Sequence, residues 1–254
     1  MSEHTFRRPI EWKSGDKTDR GAVREINEDA LLARDEIKFW AVADGMGGHR
    51  VGDLASAMIV DELIKFDGCE RLSDCVDEID AAVLKVNHDI IEHAHTYFSE
   101  NATMGSTLVS LVIRGQVGVC LWAGDSRLYR LRNNHLSQLT TDHSHVQELL
   151  AMGSITPEEV EGHPHANVIT RAVGVEEELV VDLNVFNTQM GDVFLLCSDG
   201  LHNSVSEQDI VRILGTALEP EEAAEQLVEA SLAAGAPDNV SVVVIKGEAG
   251  KLDF

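Results

Sequence analysis

Strand-like and helix-like hydrophobic patterns follow one another in blocks along the first half of the chain. Two short apolar runs, residues 29–34 and 37–44, predict a pair of strands joined by a tight turn. Apolar residues then recur every three or four positions over residues 53–66 and again over residues 72–98. This spacing predicts two consecutive amphipathic helices.

The pattern changes in the middle of the chain. Three β-branched or alternating runs, residues 107–115, 116–124 and 126–133, predict an antiparallel meander. Residues 142–170 are polar, rich in histidine and without a sustained period. A long irregular stretch of this kind is typically functional, so we expect a flap-like insert here.

The last third of the sequence repeats the scheme of the first. Strands are predicted at residues 179–187 and 192–197, helices at 206–218 and 220–234, and a final strand at VSVVVIKG. Because the helices come in consecutive pairs, a doubly wound parallel sheet is disfavoured. We expect an α+β fold in which a largely antiparallel sheet assembly carries helix pairs on its outside. No repeat or linker interrupts the pattern, so residues 1–254 are expected to form a single domain.

Composition excludes several classes of protein. The formal net charge of −24 disfavours binding to nucleic acid or to anionic membrane surfaces. No apolar stretch approaches the ~18 residues of a membrane span, and the N-terminal residues lack the apolar core of a signal peptide. The four cysteines, Cys69, Cys75, Cys120 and Cys197, lack zinc-type spacing and are expected to be reduced. These features predict a cytoplasmic protein.

Acidic residues at the ends of predicted strands are the main chemical signal. Asp44 and Asp199 each follow an apolar run and precede a glycine, and Asp238 directly precedes the last strand. The acidic pair Glu28 and Asp29 lies just before the first predicted strand pair. Each motif alone is explained by a simple turn, but together they predict a site for Mg²⁺ or Mn²⁺, which prefer oxygen ligands.

Neighbouring residues add detail to this predicted metal site. Asp44 is the best candidate to bridge two ions, because Gly45 is small enough to let a backbone carbonyl approach a metal. Asn239 is a natural hydrogen-bond partner for the adjacent carboxylate. Arg24, four residues before Glu28, could bind phosphate oxygens or could form a surface ion pair. Asp125 could bind a third, weaker ion or could cap a hairpin turn.

Histidines offer candidate proton donors. His49 follows the glycine-rich DGMGG segment, and His143 lies in TTDHSH, so either could act as a general acid or could be structural. A zinc site is not expected, because no His and Cys cluster has ligand spacing. A phosphate-binding loop and a serine hydrolase are unsupported, since DGMGGH matches neither Gly-rich signature and no G-x-S-x-G occurs.

An ordered set of motifs covering residues 14–247 resembles the metal-dependent protein phosphatases, the type 2C Ser/Thr phosphatases, and most closely their bacterial branch. The motifs are TDRGAVREINEDA, WAVADGMGGH, MGSTLV, WAGDSRLYRLRN, LTTDHSHV, ITRAVG, FLLCSDGL and PDNVSVVVI. The resemblance implies a central β-sandwich flanked by helix pairs, in four layers. It also implies direct hydrolysis of phosphoserine and phosphothreonine by a water shared between two metal ions, without a phosphoenzyme.

The resemblance also implies roles for individual residues. Asp44 would bridge the two ions and Gly45 would bind through its carbonyl oxygen. Asp199 and Asp238 would complete the shell of the second ion, and Glu28 would bind directly or through water. Asp125 with Asp199 would hold a third ion. Arg24 would bind the substrate phosphate, and residues 142–170 would be the flap that shapes access.

One position departs from the eukaryotic branch of this family, whose members carry a histidine proposed as general acid soon after the Asp-Gly pair. Here that place holds Met46, as in bacterial members. The proton donor is therefore open between water, which ranks first, and His49 or His143.

Two alternatives remain at this stage. One is a binding module of the same fold that senses metal or a partner without turnover. The other is a hydrolase of small phosphate esters. The family resemblance predicts phosphorylated proteins as substrates, a cognate Ser/Thr kinase that the enzyme opposes, and possible involvement in type VI secretion control. A monomer is the default expectation.

Overall fold

The computed structural model describes residues 8–47, 51–98, 103–160 and 162–250. Its strands are β1 (Ile10–Asp19), β2 (Asp29–Arg34), β3 (Phe39–Met46), β4 (Gly105–Ser106), β5 (Leu108–Arg114), β6 (Val117–Ala123), β7 (Arg127–Arg132), β8 (His135–Gln138), β9 (Asp182–Asn187), β10 (Val193–Cys197) and β11 (Val240–Ala249). Its helices are α1 (Gly52–Leu63), α2 (Leu72–Tyr97), α3 (His145–Ala151), α4 (Pro157–Val160), α5 (Asp199–His202), α6 (Glu207–Thr216) and α7 (Pro220–Ala233).

The strands form two antiparallel sheets. The first has the order β1-β11-β10-β7-β8, and the second has the order β2-β3-β5-β6-β9, with the short β4 paired to β3. In an antiparallel sheet the end of one strand lies beside the start of its neighbour. The loops that join the strands therefore lie at the ends of the two sheets, where they can present side chains.

Both faces of the central strands are buried, which explains their nearly continuous apolar sequence. In β3, Phe39 and Ala41 face the helices of their own side, while Trp40 and Val42 face the other sheet. All four side chains are fully buried. Each large apolar side chain buried in this way contributes about 1.5–3 kcal/mol.

Helix pairs cover the outer faces of the two sheets. Ile59 of α1 and Ile79 of α2 belong to the apolar cluster on the second sheet, and Ile213 of α6 and Leu227 of α7 belong to the cluster on the first. The predicted α+β fold, a central β-sandwich between helix pairs in four layers, is confirmed. No helix within the described ranges is both long enough and apolar enough to cross a membrane.

Two sequence-based expectations for the middle of the chain were wrong. The predicted meander does not form, because β6 lies in the second sheet whereas β7 pairs with β8 and β10 of the first. The alternation of apolar residues indicates a buried strand but not the sheet to which it belongs. The 142–170 segment is also less irregular than expected, since it contains α3 and α4.

Candidate active site

The acidic residues singled out from the sequence meet at one edge of the sandwich. All of them except Asp29 line a cavity of about 280 Å³, together with residues from the loops and the 142–170 segment. The lining residues are Arg24, Glu28, Asp44, Gly45, Met46, Gly47, Thr107, Asp125, Asn167, Ile169, Asp199 and Asp238. Strand β3 supplies Asp44, the start of α5 supplies Asp199, and the loop before β11 supplies Asp238.

Two glycines allow the backbone segments around this cavity to approach closely. A Cβ on Gly45 would overlap the carbonyl oxygen of Gly52, and a Cβ on Gly200 would overlap the carbonyl oxygen of Asn239. The second contact holds the segment that carries Asp199 against the segment that carries Asp238. Glycine is therefore required at both positions for steric reasons.

The carboxylates raise one another's pKa. Burial is the main reason that the pKa of Asp44 lies well above its usual value, and Asp29 and Asp199 add to the effect. Burial also raises the pKa of Asp199 to about 6, with Asp238 contributing, and that of Asp125 to about 7, with Asp199 contributing. Asp44 is only partly buried and lines the cavity. Such a concentration of negative charge favours the binding of cations.

Asp29 lies behind the cavity rather than on its wall. It is the partner of Asp44 in the β2–β3 register, and one carboxylate oxygen accepts a hydrogen bond from the Ser198 hydroxyl at 2.9 Å. The other oxygen is buried and has no hydrogen-bond partner among the described residues. Burial raises the pKa of Asp29 to about 7. Direct metal binding by Asp29 stays a prediction.

The donor set fits hard divalent cations. Carboxylate oxygens and the carbonyl of Gly45 are the ligands that Mg²⁺ and Mn²⁺ prefer, and these ions take much of their coordination from water. Among the described residues, no three His, Cys, Asp or Glu side chains are arranged to hold one ion. The Asp238 carboxylate instead contacts the Arg24 guanidinium at 2.6 Å. A third carboxylate would therefore have to shift toward an ion bound here, and backbone oxygen and water would complete the shell of that ion.

Asn239 joins the Asp238 loop to the segment that carries Arg24 and Glu28. Its side-chain oxygen accepts a hydrogen bond from the Glu28 N–H at 2.8 Å, and its amide nitrogen donates to the carbonyls of Arg20 at 2.8 Å and Ile26 at 2.9 Å. The predicted contact with Asp238 exists, but it is made by the backbone N–H of Asn239 at 2.8 Å. The buried amide thus positions the loop rather than the carboxylate.

Glu28 is held at the cavity by its backbone. Its carbonyl accepts hydrogen bonds from the Gly45 N–H at 3.1 Å and from the Ser56 hydroxyl at 2.6 Å. Burial raises the pKa of its carboxyl group, with Arg24 acting in the opposite direction. The side chain remains on the cavity wall, where it could bind an ion or a water molecule.

His143 does not reach the cavity. Its Nδ1 atom accepts a hydrogen bond from the Gly124 N–H at 3.0 Å, its Nε2 atom lies 3.2 Å from an oxygen of Asp182, and its ring stacks on Trp122. Burial lowers its pKa, which favours the neutral form of the ring. This geometry suits support of the Gly124–Asp125 turn better than proton donation. The other candidate, His49, lies outside the described residues.

Several residues around the cavity were missed by the sequence analysis. Asn167 and Ile169 enter the cavity from the 142–170 segment, whose base is fixed by a double contact between Arg127 and Asp142. His202 contacts the Asp125 carbonyl at 3.2 Å through Nε2. Burial lowers the pKa of His202 to about 3, which keeps it neutral. The only sequence signal for His202 was its position one helical turn after Asp199, the predicted metal ligand.

The comparisons with known proteins agree with this fold and site. Residues 20–234 match the family model described as protein phosphatase 2C. The chain belongs to the protein phosphatase 2C family.

Three relatives illustrate this membership. The serine/threonine phosphatase stp of Listeria welshimeri is 39% identical over 239 residues, which cover 91% of this chain and 94% of the relative. The serine/threonine protein phosphatase PstP of Mycobacterium tuberculosis is 39% identical over 90% of this chain, and the match spans 43% of PstP. The catalytic domain of PstP has been solved in complex with two manganese ions and superposes with a TM-score of 0.84 at 37% identity, covering 94% of this chain and 99% of that one. PppA, a key regulatory component of the type VI secretion system in Pseudomonas aeruginosa, superposes with a TM-score of 0.87 at 40% identity, covering 95% of this chain and 100% of that one.

Proposed function

We propose that this chain is a metal-dependent protein phosphatase that hydrolyses phosphoserine and phosphothreonine. The observation that carries the proposal is the cavity in which five carboxylates, those of Glu28, Asp44, Asp125, Asp199 and Asp238, surround a space bordered by a cationic Arg24. Family membership and the names of the relatives, which are serine/threonine phosphatases, support this reaction over a binding module without turnover.

Mn²⁺ or Mg²⁺ is the proposed cofactor, with two ions per chain and a third near Asp125. Asp44 and the Gly45 carbonyl would hold one ion, Asp44 with Asp199 and Asp238 the second, and Asp125 with Asp199 the third. Such ions, when bound, neutralise phosphate charge and make hydroxide available near neutral pH. The two manganese ions of the PstP catalytic domain support this choice.

Arg24 is the proposed phosphate ligand. One of its guanidinium nitrogens donates to Asp238, and its side chain is half exposed at the cavity. The remaining N–H groups of the planar fork have no partner among the described residues and could meet two phosphate oxygens of a substrate. The contact with Asp238 would then fix the orientation of the guanidinium group while it binds the phosphate.

Water in the cavity is the proposed proton donor to the leaving alkoxide. Among the described residues, the lining of the cavity contains no histidine, lysine or tyrosine. His143 has a lowered pKa and is directed toward Gly124 and Asp182, which disfavours it as the acid. The described residues would then contribute orientation and charge, which carry most of the rate in phosphoryl transfer.

Residues 142–170 are proposed to act as a flap on a single catalytic domain. Asn167 and Ile169 of this segment line the cavity, and the Arg127–Asp142 contact anchors its beginning.

For the cellular role, we propose a cytoplasmic enzyme that opposes a Ser/Thr kinase, with type VI secretion control as the specific pathway. The likeness to PppA over 95% of this chain supports that pathway.

The test is release of phosphate from a phosphothreonine peptide with Mn²⁺, with EDTA, and with the variants Asp199→Asn and Asp77→Asn. We expect dependence on Mn²⁺, loss of about 100-fold or more in kcat for Asp199→Asn, and wild-type turnover for Asp77→Asn, whose side chain is exposed on α2. A folded protein that binds Mn²⁺ without turning over any phosphate ester would refute the phosphatase and favour the binding module.

A further inference from the structure

A second cavity lies beside the catalytic one. Its volume is about 220 Å³, and its walls include the aliphatic side chains of Ile169, Ala172, Val175 and Leu179. Ile169 lines both cavities, so the two adjoin at this residue. The second cavity differs from the first in chemistry, because carboxylates are the largest group in the lining of the first, whereas the lining of the second combines four aliphatic residues with Thr170, Arg171 and Glu176.

One wall of this second cavity is held in place by buried hydrogen bonds. Val173 exchanges two backbone hydrogen bonds of 2.9 Å with Ser106. The Asn87 side chain, buried on α2, accepts from the Gly174 N–H at 2.6 Å and donates to the Glu176 carbonyl at 2.9 Å. The segment between Val173 and Glu176 is therefore fixed before any ligand arrives, which lowers the entropic cost of binding.

The opposite wall is fixed in a similar way. The Thr170 N–H donates to the His143 carbonyl at 2.8 Å. The Arg171 guanidinium contacts the Asp182 carboxylate at 2.6 Å and the Val180 carbonyl at 3.2 Å. These contacts hold Thr170 and Arg171, and with them this part of the cavity wall, against His143, Val180 and β9.

Exposed valines line this cavity or lie next to its lining residues in the chain. Val168, Val175 and Val180 are 47%, 45% and 61% exposed. Val175 also lines the cavity itself. Val175 therefore offers apolar surface to a ligand that enters the cavity.

We propose that the second cavity is a subsite for an aliphatic side chain of the phosphoprotein substrate, one or two residues from the phosphorylated residue. The two cavities adjoin at Ile169, so we expect nearby side chains of one substrate to reach both, since an extended peptide advances about 3.3 Å per residue and its side chains alternate in direction. Arg171 and Glu176 also line this cavity, and the Arg171 guanidinium is held by the Asp182 carboxylate. This inference rests on the proposed phosphatase function.

The test is a series of four phosphothreonine peptides whose other residues are alanine and serine. Each peptide carries a single leucine, placed at a different one of the four positions within two residues of the phosphothreonine. We expect wild-type enzyme with Mn²⁺ to prefer leucine over alanine at one position by about tenfold in kcat/KM, as for aliphatic groups that enter a hydrophobic pocket. Val175→Asp places a charge on the cavity wall and should reduce that ratio to about one. Val185→Asp is the matched control, because Val185 is a 58% exposed valine on β9 away from the cavity, and it should keep the ratio.

Each result decides the matter. A leucine preference at one position that Val175→Asp removes and Val185→Asp retains would establish the subsite. Ratios within twofold at all four positions, or a preference that Val175→Asp leaves intact or Val185→Asp also abolishes, would overturn it. The small ester p-nitrophenyl phosphate separates the two proposals: if it is hydrolysed without leucine selectivity toward the peptides, the subsite alone fails, whereas no turnover of any ester overturns the phosphatase and the subsite with it.

Discussion

Asn239 shows how one buried side chain can set the geometry of a whole catalytic edge. Its amide forms three hydrogen bonds to the backbone of a segment more than 200 residues away in the sequence, and that segment carries Arg24 and Glu28. The side chain is 4% exposed, so water could not replace these bonds if they were lost. Buried polar groups left without partners are costly.

Asn239→Ala should therefore lower both stability and phosphate binding. We expect the free energy of unfolding to fall by about 2–4 kcal/mol, because the Glu28 N–H and two carbonyls lose their partner. KM for the phosphopeptide should rise more than kcat falls, since Arg24 would be less well placed. Urea unfolding and steady-state kinetics measure these effects. Asn203→Ala is the control for stability, because Asn203 is exposed and donates one hydrogen bond of 3.2 Å; equal losses in the two variants would contradict the role of Asn239.

Side-chain roles near the cavity divide into those that the sequence could predict and those that it could not. The convergence of Asp44, Asp199 and Asp238 follows from their positions at strand ends, which local pattern reveals. The contacts of Asn239 and His143 depend on segments distant in the sequence, and a single sequence contains no information on such pairing. His143 was for this reason interpreted as a candidate acid, although its ring lies against Trp122 and Gly124.

Helix α5 is the element that links the two sides of the site. It begins at Asp199 directly after β10, its second residue Gly200 packs on the Asn239 backbone, and its last residue His202 contacts the Asp125 turn. The helix has four residues, too few for any hydrophobic period to show, so it was not predicted. Strand β1 was missed for a different reason: it is an edge strand whose many exposed charged residues obscure the alternation.

Two glycine substitutions in helices should have opposite effects. A Cβ at Gly200 would overlap the Asn239 carbonyl, so Gly200→Ala should destabilise the protein by about 2–3 kcal/mol. A Cβ at Gly215 in α6 would have its nearest neighbour 4.0 Å away, so Gly215→Ala should stabilise by up to about 1 kcal/mol through helix propensity. Thermal unfolding of both variants provides the measurement. Stabilisation by both substitutions would show that the contact at Gly200 is not as tight as the structure indicates.

Across the whole molecule, acidic residues far outnumber basic ones, and several of the acidic residues meet in the catalytic cavity. The chain carries a formal net charge of −24, and five carboxylates share one cavity. Burial raises the pKa values of Asp44, Asp125 and Asp199 in this group, which reflects the cost of keeping their charges close together in the folded state. Folding thus creates a site whose electrostatic cost is relieved when divalent ions bind, and stability is coupled to metal binding by mass action.

The metal-free protein should become less stable as pH rises from about 5 to 8. Asp29 and Asp125 have folded pKa values of about 7 and Asp199 one of about 6, each above its unfolded value, so the folded state binds more protons in this range. The stability gained at low pH is lost as pH passes through these folded pKa values. Without metal we expect Tm to fall by roughly 3–8 °C over the interval, and saturating Mn²⁺ should raise Tm more at pH 8 than at pH 5. Asp125→Asn removes one carboxyl group with a raised pKa, so the Tm of the metal-free variant should depend less on pH than that of the wild type. Asp77→Asn should leave this dependence unchanged. Differential scanning calorimetry with and without EDTA tests this, and a metal-free Tm that rises with pH would contradict the linkage between the acidic cavity and stability.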